Sequence, residues 1–236
     1  MGDGPITARS VASNAAADGA KDVAPILIGV IPFGLITGVA AGASVLGDGL
    51  GWATSFIIFA GAAQLATIEL FDAGAVTAVI IATALVINSR HMMYSAALAP
   101  SFGAFSARWR FGLPYLLTDQ AFAVSLLRFQ DVTDPTYRRW YYLGGAITLW
   151  ISWQVTTAAG VVFGAVIPDA WNLGFAIPLV FLALLIPAVT SRPGLVAATV
   201  GAGIAIAAAG APYTTGLIIG AVAGIAAGMI AERWWS

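Results

Sequence analysis

Long stretches without a single charged residue divide this sequence. They run over 23–47, 49–68, 73–89, 140–168, 170–191 and 193–231. A hydrocarbon core about 30 Å thick is crossed by roughly 20 apolar residues of helix. Inside it every backbone N–H and C=O needs a protein partner, which restricts the chain to helices or a closed barrel. The stretches are continuous rather than alternating, and that selects helices. Of 236 residues, 9% are charged and 60% hydrophobic, whereas a soluble domain is about one quarter charged. Too few charges exist to cover a surface that faces water. The expected fold is therefore all-α: a polytopic transmembrane bundle of about 7–8 membrane segments, some discontinuous, in the lipid bilayer of the inner (plasma) membrane. Five stretches read as one span each. The sixth reads as two short spans broken at Gly210-Ala211-Pro212. Residues 1–22 read as a loose polar tail, and 23–236 as a single transmembrane domain.

Segment 113–129 is the exception, because Thr118, Asp119 and Gln120 lie in its middle. Arg108 and Arg110 precede it, and Arg138 and Arg139 follow it. Cytoplasmic loops carry the excess of Lys and Arg. If the segment is re-entrant, both clusters lie inside, Glu69, Asp72 and Asp169 lie outside, and the N-terminus is outside. The alternative is eight spans with both termini inside. Gly38, Gly42, Asp48 and Phe59 recur about 120 residues later as Gly160, Gly164, Asp169 and Phe181. Under the re-entrant reading these mark an inverted three-helix repeat, about 24–96 and 140–210. In a chain with 27 glycines such matches also arise by chance.

Two glycine ladders stand out, Gly34, Gly38, Gly42 and Gly216, Gly220, Gly224, Gly228. Bare backbones let helices approach closely, either within the chain or against another subunit. Pro25, Pro32, Pro178 and Pro187 each remove a backbone donor inside an apolar segment. Such sites are simple kinks or the broken helices that hold transporter substrates.

The strongest local signal is Asn88-Ser89-Arg90-His91-Met92-Met93-Tyr94, which contains the single His. On a helix Asn88, His91 and Ser95 fall within about 60° of one another, with Arg90 and Tyr94 on an adjacent face. Charges at this depth pair, face water or snorkel to the surface. Asp119, in Leu117-Thr118-Asp119-Gln120, is the acidic counterpart. A carboxylate in an apolar site holds its proton more readily than one in water, so Asp119 is the candidate proton carrier; a structural ion pair is the plainer reading. Gln64 brings an amide into the middle of a span, for helix-to-helix hydrogen bonding or for substrate. Ser152, Trp153, Gln154, Thr156 and Thr157 form a polar cluster in another. Walker, His-Glu-x-x-His and paired metal-ligand patterns are lacking. One His and no Cys argue against zinc, and no catalytic residue, metal or cofactor is expected. The net charge of −1, with scattered charges, gives no sign of a nucleic-acid partner.

Taken in order, Gly61-Ala62-Ala63-Gln64, Asn88-Ser89-Arg90-His91-Met92-Met93-Tyr94, Leu117-Thr118-Asp119-Gln120 and Gly174-Phe175-Ala176-Ile177-Pro178 resemble the motif set of the AzlC family. The departure is Gln120, where that family commonly has Glu, so either Asp119 alone carries the proton role or the coupling differs. The resemblance implies the large subunit of a two-component secondary exporter of branched-chain amino acids, driven by the proton motive force. The usual partner is a small AzlD-type membrane subunit. An aliphatic zwitterion needs donors for its carboxylate, an acceptor for its ammonium and an apolar pocket. Arg90, His91, Asn88 and Gln64 suit the first and Asp119 the second; Met92, Met93, Phe122 and Trp153 are candidates for the wall. Tyr94, Gln120 and Gln154 complete the expected substrate or proton pathway. The competing reading is a passive channel, or a carrier for another small solute. A membrane-embedded enzyme and an assembly scaffold are more distant alternatives.

Overall fold

A computed structural model of the chain describes residues 8–164, 189–211 and 215–235. Gly174–Pro178, Asp169, Phe181, Pro178 and Pro187, and with them most of the 170–191 segment, lie outside the described residues.

The first helices are α1 (Ala8–Val23), a 3-10 turn at Ala24–Ile26, and α2 (Leu27–Ala43). Together they give an apolar rod over Ser10–Ala43, 34 residues long. The expected loose tail is therefore a helix. Ala15, Gly19 and Val23 supply a small-residue face, and Ala15 and Val23 are fully buried. Pro32 is accommodated inside α2.

The rod packs along α9 (Pro135–Gly164), a 30-residue helix about 45 Å long. Asp134 accepts from the Thr136 and Tyr137 N–H groups, and Pro135 occupies the first helical position. That pairing is a strong helix start. Glycines set the approach. A Cβ on Gly19 would run into the Tyr141 carbonyl, one on Gly34 into the Thr156 side chain, and one on Gly38 into the Thr157 carbonyl. A Cβ on Gly160 would overlap the Leu35 carbonyl and lie 2.8 Å from the Gly38 Cα. Contacts advance in the same sense along both helices, so α1–α2 and α9 are parallel. Gly38 and Gly160 are the repeat-matched pair, and here they touch. In an inverted repeat, matched helices would run in opposite senses; the two here run the same way, which overturns the inverted relation.

The stretch 49–68 is not one span. α3 (Gly47–Ile57) and α4 (Gly61–Asp72) are separated by extended residues 58–60. The Ser44 hydroxyl and the Val45 N–H both donate to Asp72 Oδ1, at 2.7 and 2.9 Å. Nearer the break, Gln64 Nε2 donates to Thr54 Oγ1 at 2.9 Å. The beginning of α3 thus meets the end of α4, and the pair is a hairpin whose tip is Phe59-Ala60. Gly47 and Gly74 take positive φ, +70° and +67°, at its two outer ends, a conformation that favours glycine. Gly61 has no room for a side chain, since a Cβ would lie 2.7 Å from the rings of both Phe33 and Trp153.

α5 (Thr77–Asn88) and α6 (Arg90–Phe102) continue one another through a turn at Ser89. They run from the Gly74 end to the far end, where the Phe102 ring meets Tyr142 at 5.1 Å. α7 (Ala107–Gly112) and a 3-10 turn at Leu113–Leu116 then lead inward. The Tyr142 hydroxyl donates to the Leu113 carbonyl, and further along α9 Trp150 Nε1 donates to the Tyr115 hydroxyl, both at 3.3 Å. After an extended break at 117–118, α8 (Asp119–Asp131) runs back. Thr118 caps its start by accepting from the Ala121 N–H, and Arg138 caps its end by donating to the Phe129 and Val132 carbonyls. Segment 113–129 is therefore a second hairpin, entering from the end opposite the first. Its flanks meet: the Arg139 guanidinium lies 5.1 Å from the Trp109 ring, and the Trp109 and Trp140 rings are 5.8 Å apart.

The N-terminal helix begins at this same basic end. Tyr137 donates to Asp18, and Arg128 and Tyr141 donate to Asp22. The expectation that the N-terminus lies opposite the basic clusters is thereby corrected. It rested on counting 49–68 as a crossing.

α10 (Arg192–Ala207) and α11 (Gly216–Trp235) form a further hairpin, leaning on α5. Gly216, Gly220 and Gly224 face α10; a Cβ on Gly220 would lie 2.7 Å from the Gly201 carbonyl, and one on Gly224 equally close to that of Ala197. A Cβ on Gly228 would lie 2.9 Å from Ala197 Cβ. Both glycine ladders are thus consumed by packing within the chain. As docking faces for a partner they are unavailable, because a second helix cannot occupy the same groove.

Candidate functional site

The two hairpin tips meet about halfway along α9. The Tyr115 hydroxyl donates to the Phe56 carbonyl at 2.8 Å, one of the orphan carbonyls at the end of α3. Beside this contact lies a chamber of about 460 Å³. Phe59, Ala60, Gly61 and Ala62 come from the first tip, Thr118, Asp119 and Gln120 from the second, Arg90 and His91 from the start of α6. Val30, Phe33, Leu149 and Trp153 complete an apolar wall. Each polar contributor sits where a helix breaks or begins.

Arg90 and Asp119 are paired across the chamber, Nη1 to Oδ2 at 2.8 Å, with 32% and 39% of their side chains exposed. Asp119 Oδ1 and Arg90 Nε are buried and carry no hydrogen-bond partner. The N–H groups of Gly61, Ala62 and Ala63 precede the first hydrogen bond of α4, from the Gln64 N–H to the Ala60 carbonyl, and no side chain caps that helix start. Such a terminus attracts negative charge. His91 stands 5.8 Å from the Tyr94 ring, and Tyr94 stacks on Phe122 at 4.3 Å. That stack joins α6 to α8 behind the ion pair. Asn88 lines a neighbouring open cleft that also touches His91, Phe59 and Met92.

The expected pathway residues thus divide. Arg90, His91, Asp119, Gln120 and Trp153 line one chamber, and Tyr94 and Asn88 flank it. Gln64 and Gln154 do not line it. Gln64 is fully buried, accepting from Trp153 Nε1 at 3.0 Å and donating to Thr54. Gln154 accepts from the Ser55 hydroxyl at 2.8 Å and donates to the Ser55 carbonyl at 3.1 Å. Both amides fasten the first hairpin to α9, with the oxygen and the nitrogen of each engaged in that contact. Met93 is 67% exposed on the outer surface, and Phe122 serves the Tyr94 stack. Two contributors went unnoticed in the sequence. The free amides of Gly61–Ala63 become visible only once the break at 58–60 is known. Tyr115, which follows Pro114 in a broken segment, could have been suspected from that proline. Among the described residues no group of three His, Cys, Asp or Glu side chains converges as a metal site.

The profile of the AzlC protein family matches residues 25–167, which contain both hairpins and every chamber residue. The chain belongs to the AzlC family. It is 27% identical over 238 residues to the inner membrane protein YgaZ of Escherichia coli, covering 92% of this chain and 91% of that one. It is 29% identical over 214 residues to an uncharacterized membrane protein of Archaeoglobus fulgidus, covering 89% and 90%. An uncharacterized membrane protein of Haemophilus influenzae is 25% identical over 182 residues, covering 73% and 72%. No solved structure matches. Among the described residues three helices are long and apolar enough to cross a bilayer, Ser10–Ala43, Pro135–Gly164 and Gly216–Trp235. The chain is a multi-pass inner-membrane protein.

Proposed function

We propose that this member of the AzlC family is the large subunit of a secondary exporter of branched-chain amino acids. It works with a small AzlD-type membrane subunit and is coupled to protons. One observation carries the reading: a chamber midway along the spanning helix α9 holds both charges of a partly exposed ion pair against an apolar wall. A zwitterion offers the same two charges. Its carboxylate suits Arg90 and the free amides that begin α4, its ammonium suits Asp119, and its aliphatic side chain suits Phe33, Leu149 and Trp153. The volume falls in the ~300–1,000 Å³ range of small-molecule sites.

Placed in a bilayer with its basic end cytoplasmic, the molecule has two re-entrant hairpins that enter from opposite sides and meet at mid-depth. Irregular backbone is tolerated there because it lines a polar cavity. Asp119 alternates between Arg90 and the substrate ammonium, and its protonation releases the substrate. The two hairpins provide separate gates on the two sides.

The test is counterflow in vesicles that hold this chain with and without its genomic small-subunit neighbour. Preloaded leucine, isoleucine or valine should accelerate uptake of labelled substrate, and a pH gradient should drive accumulation. Flux without acceleration by preloaded substrate would indicate a pore, and the absence of amino-acid flux with both subunits present would end the proposal.

A further inference from the structure

We propose that the basic end carries a binding site for one anionic phospholipid, with its phosphate on Arg110 and an acyl chain in the cleft between α6 and the inward limb of the second hairpin. The cleft has a volume of about 250 Å³. Leu98, Ala99 and Phe102 of α6 line it with Pro114, Leu117 and Tyr142, and among the described residues Arg110 is the one charged residue on its rim. It is far too small for a helix of ~10–12 Å diameter, which excludes a partner's helix as occupant. An acyl chain fits such a slot.

Charge at this end is unbalanced. Among the described residues Arg108, Arg110 and Arg139 have no carboxylate within ion-pair distance. Arg139 has a buried Nε without a hydrogen-bond partner and is held over the Trp109 and Trp140 rings, 5.1 and 5.7 Å from their centroids. Arg108 lies 5.9 Å from the Trp109 ring. Arg138 donates to backbone carbonyls, which leave its charge uncancelled. The acids at this end are Asp18 and Asp22, held by Tyr137, Tyr141 and Arg128, Asp134, spent on the first N–H groups of α9, and Asp131. Trp109 and Trp140 are of the residue type enriched at the membrane–water boundary, and Phe111 beside them is 85% exposed. Clustered Arg at that level attracts anionic headgroups. A free phosphate would satisfy the guanidinium groups and leave the apolar slot empty.

The experiment is native mass spectrometry of the delipidated full chain, titrated with phosphatidylglycerol and with phosphatidylcholine of identical acyl chains. Wild type should retain phosphatidylglycerol at a concentration at least tenfold lower. Arg110→Gln should erase the difference, and Ala99→Trp, which fills the slot and keeps the charge, should erase it too. Arg233→Gln, at the end of α11, should leave it intact. Circular dichroism and elution volume certify that each variant is folded. Soluble glycerol phosphate should not displace the lipid; full displacement would make the site a plain anion site and overturn the proposal. Equal retention of the two lipids by wild type would also overturn it, as would undiminished preference in a folded Arg110→Gln.

Discussion

The ion pair in the chamber yields the sharpest energetic expectation. Asp119→Asn keeps the shape and strands the Arg90 guanidinium halfway along α9; Arg90→Gln strands the carboxylate. A lone charge at a helix centre costs about 2.5–3.5 kcal/mol on insertion scales. Roughly a third of each side chain is exposed, so solvent screening lowers that cost. Each single variant should therefore lose about 1–2 kcal/mol. The double variant removes both charges together and should return to within about 1 kcal/mol of wild type, a coupling energy of about 1–4 kcal/mol. Reversible unfolding in mixed micelles measures all four proteins. Proton-driven efflux should be lost in both singles and should not return in the double, which separates stability from function. Strictly additive losses would show that the 2.8 Å contact carries no energy. Undiminished driven efflux in Asp119→Asn would remove Asp119 from proton coupling.

Single cysteines at Ala107 and Thr133, both exposed in a chain with no native cysteine, should react with an impermeant maleimide from the same side of a sealed vesicle. Labelling from opposite sides would make segment 113–129 a crossing. Gly160→Leu should abolish assembly of the folded chain, because its Cβ overlaps the Leu35 backbone, whereas Gly49→Leu, with open space around it, should be tolerated; equal yields would refute the α2–α9 packing. Gln64→Leu should cost about 1–3 kcal/mol by leaving buried partners unsatisfied. Substrate affinity in the surviving folded fraction should be little changed, as expected of a fastener. A large shift in affinity at unchanged stability would return Gln64 to the binding surface.

Much of the chemistry was legible before any coordinates. A charge inside an apolar segment is costly alone, so Arg90 and Asp119 could be matched from sequence, and they meet. The basic clusters around 113–129 predicted a segment that returns to its own side, and Trp109 does reach Trp140 and Arg139. Less legible was what each polar side chain touches. Gln64 and Arg90 look equally anomalous in an apolar run. One is held at both its oxygen and its nitrogen by Trp153 and Thr54, and the other faces a chamber and pairs with Asp119, a difference that depends on neighbours distant in the chain.

Composition and the charge-free stretches by themselves determine that this chain is helical and lives in lipid, because no other solvent accepts that surface and no other open structure satisfies its backbone there. The ordered motifs determine the family. Which apolar stretches cross and which fold back was decided only by tertiary contacts. Residues 49–68 are as free of charge as any span, yet Asp72 accepts from Ser44 and Val45, and Gly61 seats the tip against Phe33 and Trp153. Parallel packing of Gly38 on Gly160 likewise reverses the sense of the repeat. Periodicity measures how a segment meets its solvent. Direction and return are fixed by a handful of close contacts between segments roughly 30 to 120 residues apart, and a window of twenty residues cannot contain them.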